Sequence, residues 1–320
     1  MNLRIGRGER WAIVAAISYT LVNITLRAAA VHIDPFLGSV LRQIPVALLA
    51  IGALLVMRRR DFLPSHPQFI GWHFVIALLV GGFLSFLVGN VLYFQGLAEG
   101  GLGITVSASQ AGVVFAGLGL GVLVLHEQPR REQLIGSIVI AAGLVLVGYA
   151  QLGAPRELWW LGLVFAALAG SCYAATNVIT RAVQRARPVL FITLAGTTIG
   201  GMVPLLLIIA AQAAMSGAAA FATLTWETVG IVLVAGVANA VALIGLTQAM
   251  RDSTVATTNT ISAAQLVFSF IGAVLLFNET GSPPMILGVV LVTAGIIYAQ
   301  IDRAGRRVEV PVAPIVPPAP

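Results

Sequence analysis

The sequence predicts an all-α integral membrane protein, with ten transmembrane helices arranged as two inverted five-helix repeats. Three observations predict it. Of 320 residues, 58% are hydrophobic and 9% are charged, against about 25% charged in a soluble domain, so the chain cannot wet a globular surface. Uncharged stretches long enough for a bilayer core of about 30 Å, which takes roughly 20 helical residues, recur along nearly its whole length. The second half of the chain also repeats the landmarks of the first.

The stretches run 11–30, 36–57, 70–97, 102–125 and 133–150, then 158–180, 189–214, 228–250, 254–277 and 285–301. The second stops at Arg58-Arg59-Arg60, the fifth follows Arg130-Arg131, the sixth ends at Arg181 and the eighth at Arg251. This divides the chain into an N-terminus (1–10), a first repeat (11–150), a second repeat (158–301) and a Pro-rich tail (302–320). Arg4 to Arg10 followed by an apolar run has the outline of a cleavable leader, but Tyr19, Asn23 and Arg27 interrupt the run.

Ten crossings put both ends on one side. Of 18 arginines, fifteen fall on that side, Arg27 and Arg156 fall opposite, and Arg42 lies inside the second stretch. The positive-inside rule then places both termini in the cytoplasm of a multi-pass protein of the inner (plasma) membrane. The five tryptophans sit at or beside the ends of the stretches, where an interfacial belt places them. Basic residues that report orientation do not report nucleic acid. One cysteine, Cys172, excludes an intramolecular disulfide, and four scattered histidines offer no metal-ligand spacing. Neither a metal nor another cofactor is expected. No nucleophile or phosphate-loop motif suggests an enzyme. The expected partners are the lipid bilayer and a small-molecule solute.

A shift of 152 residues carries His126-Glu127, Gly136 and Gly143 onto Asn278-Glu279, Gly288 and Gly295. A shift of 154 carries Tyr19, Asn23 and Arg27 onto Tyr173, Asn177 and Arg181. Each half holds an odd number of crossings, so the second enters the membrane from the opposite face. Inverted repeats of this kind characterise secondary transporters.

On these residues the chain resembles the drug/metabolite transporter superfamily, with two EamA-type repeats. The likeness rests on the paired Glu-x8-Gly-x6-Gly segments at Glu127 and Glu279, on the ten crossings, and on Arg42 in the second. It implies alternating access by a monomer or homodimer. Crossings one to four and six to nine would surround a central cavity, with five and ten at the edge. His126 and Asn278 stand before the glutamates where such repeats commonly have Gly, so those turns are expected to differ. Gly117-x3-Gly121 and Gly196-x3-Gly200 would let helices approach closely.

Polar side chains at membrane depth are costly, so they mark the candidate site. Arg42 would hold a carboxylate or phosphate bidentately, unless it snorkels or pairs with Asp34 or Glu99. Thr258, Ser262, Gln265 and Ser269 form one stripe on the ninth helix, and Gln110 lies on the aligned face of the fourth. Asn90 and Tyr93 share a face of the third helix. Tyr19, Asn23, Tyr173 and Asn177 either touch solute or bond helix to helix. Glu127 and Glu279 either cap neighbouring helix N-termini or form a proton-linked gate. With Arg42 and no carboxylate deep in any stretch, the expected function is export of a small zwitterionic or anionic metabolite such as an amino acid. The alternatives are a cationic drug/proton antiporter, which needs a buried carboxylate, and a non-transporting membrane sensor or assembly protein.

Overall fold

The computed structural model describes residues 6–56, 69–125, 131–150, 158–186, 190–252, 261, 264–279 and 281–300. Among them every regular element is helical. α1 (Arg7–Ala30) and α2 (Pro35–Val56) come first, then α3 (Trp72–Gly82), which passes through a π-helical segment (Phe83–Gly89) into α4 (Asn90–Leu125). There follow α5 (Arg131–Tyr149), α6 (Trp159–Ala186), α7 (Leu190–Ser216), a short 3-10 turn, α8 (Trp226–Asp252), α9 (Ala264–Phe277) and α10 (Pro283–Gln300).

Seven helical stretches are long and apolar enough to cross a membrane, and Ala264–Phe277 and Pro283–Ala299 are shorter apolar helices. One of the seven, Trp72–Leu120, runs 49 residues, far more than one crossing needs. It breaks at Gly101, whose φ of 80° and ψ of 179° are non-helical and open only to glycine. α4 is therefore two arms, residues 90–100 and 102–125. α1 starts at Arg7, before the 11–30 stretch, because Glu9 reaches back to the Gly6 N–H and closes the first turn.

The halves pack as mates. α1 lies on α8, and its counterpart α6 lies on α3 and α4; α2 meets α7, α5 meets α10, and the contact of α2 with α8 repeats as α7 with α3. Gly136 faces Gly295 and Gly143 faces Gly288, with backbones so close that a Cβ on any of the four would strike a facing carbonyl. Numbers rise along α5 as they fall along α10, so these equivalent helices are antiparallel. Of the other expected close approaches, Gly200 does meet the α3 backbone at Leu79, but Gly117 opens onto empty space. Gly112 against Ala167 and Gly170 against Ser109 carry the α4–α6 contact instead.

Candidate functional site

Many Ser and Thr hydroxyls in the bundle bond to the carbonyl one turn back in their own helix, as Thr20, Ser39, Thr197 and Thr247 do. Such groups satisfy themselves without water or a neighbour. The informative polar groups are those that cross between helices, and they gather around Arg42.

Arg42 lies two turns into α2, 8% exposed. Two glycines bring its neighbours in. At Gly236 a Cβ would collide with the Arg42 carbonyl and the Pro45 ring, so α8 presses on α2 there. Asn239, one turn further along α8, then reaches the guanidinium. At Gly89 a Cβ would collide with the Tyr173 ring, so α6 can lay that ring against the end of the π-helical segment. π-Helical turns often mark functional positions. Here the segment delivers Asn90 at its close.

One terminal nitrogen of Arg42 donates to Asn90 Oδ1 and the other to Asn239 Oδ1, both at 3.1 Å. The Tyr173 hydroxyl donates to the same Asn90 oxygen, also at 3.1 Å. Tyr19 stands within electrostatic reach of the guanidinium. Asp34 is occupied elsewhere, accepting the Phe36 and Leu37 N–H groups at the start of α2. Among the described residues Arg42 thus has only neutral hydrogen-bond partners. Its Nε, the Nδ2 of Asn90 and both amide atoms of Gln43 are buried with no partner among the described residues.

A second layer lies one turn towards the far end of α1. Tyr93 donates to Asn23 Oδ1 at 2.8 Å, and Asn23 Nδ2 donates to Ser269 Oγ at 3.1 Å, joining α4, α1 and α9. The Tyr93 and Tyr173 rings stand 6.3 Å apart and link this layer to the first.

A third layer closes that end of the bundle. Arg27 Nε pairs with Glu279 Oε1 at 3.1 Å, the side chains 7% and 10% exposed. Arg27 also donates to the Leu97 carbonyl at 2.8 Å. Glu279 accepts the Leu102 and Gly103 N–H groups at 2.8 and 3.0 Å, the first donors after the Gly101 break, and so caps that helix arm. Asn278 supplies the turn. At φ 49° it is left-handed, as the residue after a helix end commonly is, and the Glu279 N–H bonds back six residues to the Ala273 carbonyl. Asn tolerates that conformation, so the turn keeps the glycine shape without the glycine.

The structure thus brings Arg42, Asn90, Tyr93, Tyr19, Asn23 and Tyr173 together and sets Glu279 at one end of the same column. Gln265 is buried on α9 and Gln110 half-buried on α4; neither has a hydrogen-bond partner among the described residues. Asn177 is exposed. The buried side of α6 runs through Thr176, and Asn177 lies about 40° beyond Tyr173 in the other direction, so the helical repeat does not carry Asn177 into the column as it does Asn23. Thr258, Ser262 and Glu127 lie outside the described residues. Sequence reasoning missed Asn239, Gln43 and the pairing of Arg27. One signal for Asn239 was present: Val88-Gly89-Asn90 recurs as Val237-Ala238-Asn239. A crevice of about 440 Å³ between α1 and α8 has chiefly aliphatic walls, including Leu21, Val234 and Val237, with Ser18 as its polar lining residue.

The family model described as the EamA-like transporter family matches residues 6–149 and 160–299, two tandem copies over nearly the whole chain. A crystal structure of a protein with 17% sequence identity superimposes with a TM-score of 0.60, covering 90% of this chain and 96% of its own; this likeness shows the fold. No curated protein matches the chain.

Proposed function

Because the chain belongs to the EamA-like transporter family and is a multi-pass membrane protein built from two copies of that family's unit, we propose that it is a secondary carrier. Its solute is a small zwitterionic or anionic metabolite such as an amino acid, moved by alternating access and exported. The single observation that carries the solute class is the buried, uncompensated guanidinium of Arg42. An isolated buried charge is costly, and amide dipoles offset only part of that cost. Arg42 Nε and Asn90 Nδ2 remain as unpartnered donors. A carboxylate supplies the missing charge and the missing acceptors together. The unpartnered amide of Gln43 adds both a donor and an acceptor, which suits a solute carrying an amino or hydroxyl group near its carboxylate.

Support for ten crossings comes from the break at Gly101, which makes two arms of the 49-residue stretch, together with the two shorter apolar helices. Support for inversion comes from the antiparallel packing of α5 on α10 at Gly136/Gly295 and Gly143/Gly288. The arginine asymmetry supports a cytoplasmic location for both termini.

The direct bonds among Asn23, Tyr93 and Ser269 would equally suit a non-transporting membrane protein. Unpartnered donors on Arg42 and Asn90 would not. Counterflow in proteoliposomes, run across neutral amino acids, monocarboxylates and organic cations with and without a pH gradient, tests the reading. Exchange of amino acids or monocarboxylates that disappears in Arg42→Gln is expected. Cation flux that survives Arg42→Gln removes the solute class.

A further inference from the structure

From Arg42 outward the same three elements, α1, the hairpin of residues 90–125 and α9 with the turn that follows it, are bonded twice. Asn23, Tyr93 and Ser269 form the inner tie. One turn on, at positions i+4 of α1 and of the first hairpin arm, Arg27, Leu97 and Glu279 form the outer one. The outer tie holds both arms of the hairpin, because Arg27 takes the Leu97 carbonyl before Gly101 while Glu279 takes the Leu102 and Gly103 N–H groups after it. Its ion pair is buried, and Arg27 also stands 5.8 Å from the centre of the Phe277 ring. Gly101, with its non-helical φ of 80°, is the joint on which the two arms meet.

We propose that the Arg27–Glu279 pair is a latch that holds this end of the column shut, and that its opening exposes Arg42 to that face of the membrane. The inference rests on the carrier reading. Breaking the pair frees the hairpin tip from α1 and α9, and leaves the Asn23–Tyr93–Ser269 tie as the last set of bonds to part before Arg42 is exposed. A strut that merely braced the fold would lower stability without changing the spacing of these ends.

The test uses the full chain with Cys172→Ser in nanodiscs, carrying spin labels at Val31→Cys and Glu99→Cys, or at Glu99→Cys and Gly281→Cys, with distances read by double electron–electron resonance. In Glu279→Gln the latch predicts a longer-distance population about tenfold above the parent, a coupling of ordinary size for conformational equilibria. Arg27→Lys keeps the charge and the Glu279 cap but cannot bridge both partners, and gives a smaller rise. It carries the test alone if Glu279→Gln fails to fold. Unchanged distances in folded variants overturn the latch. A long-distance population in a protein that exchanges no solute with a functional Arg42 sustains the latch and removes the carrier reading. Unmoved distances in a protein that does exchange solute remove the latch and leave the carrier.

Discussion

Two arginines are buried within the same column of polar contacts, and the protein treats them oppositely. Arg27, 7% exposed, faces a carboxylate that also accepts two backbone N–H groups. Arg42, 8% exposed, faces two amide oxygens, and its Nε has no hydrogen-bond partner among the described residues. Burial is equal; compensation is not. A buried charge with its counter-charge in place is part of the architecture, and removing one partner strands the other. A buried charge left with dipoles alone is stabilised further by any anion that can reach it. The contrast separates a closing element from a binding element more sharply than exposure, depth or residue type does.

The largest expected effect breaks the compensated side. Arg27→Ala removes the cation of the buried pair and lowers stability by about 3 kcal/mol or more, read as a fall in thermal midpoint in detergent. Arg42→Met, which removes a charge with no counter-ion among the described residues, costs less, because the desolvation penalty of that buried charge leaves together with its two hydrogen bonds, each worth about 1.5–3 kcal/mol. Equal losses would erase the distinction between the two arginines. Next comes the antiparallel contact of α5 and α10. Gly143→Val drives a side chain into the Gly288 carbonyl and costs about 1–3 kcal/mol through overpacking, where Gly117→Val, in open space, costs about 1 kcal/mol or less. Asn278→Val forces a β-branched residue into the left-handed turn and costs about 1–2 kcal/mol, while Asn278→Gly is neutral or stabilising in the same melt. The smallest effect is Tyr93→Phe, which removes one hydrogen bond to Asn23 and costs about 1 kcal/mol.

Apolar run length and the repeat made the helices legible, because both depend on local composition. The four glycines that meet across α5 and α10, Gly136 with Gly295 and Gly143 with Gly288, are those that the 152-residue shift superimposes as Gly136 on Gly288 and Gly143 on Gly295. Arg42, Asn90 and Tyr93 were legible as polar residues at membrane depth. Their partners were less so. Asn239 is flanked on α8 by aliphatic residues, and the crossing of α8 over α2 at Gly236 brings it to Arg42. Arg27 read as a charge at a helix end reporting orientation, since a sequence does not show that Glu279, 252 residues on, folds back over it. Asn177 failed in the opposite sense, because the half-repeat conserves its spacing from Tyr173 but not the face that α6 buries.

The most direct test of an anion seat at Arg42 is solute-induced thermal stabilisation of the purified protein, measured for a panel of neutral amino acids and monocarboxylates on the parent chain, Arg42→Lys and Arg42→Gln. At one hundred times the dissociation constant a bound solute adds about 2.7 kcal/mol of stability. That rise is predicted for the parent, reduced in Arg42→Lys and absent in Arg42→Gln. The same rise in Arg42→Gln, or a rise produced by organic cations in place of carboxylates, would contradict it.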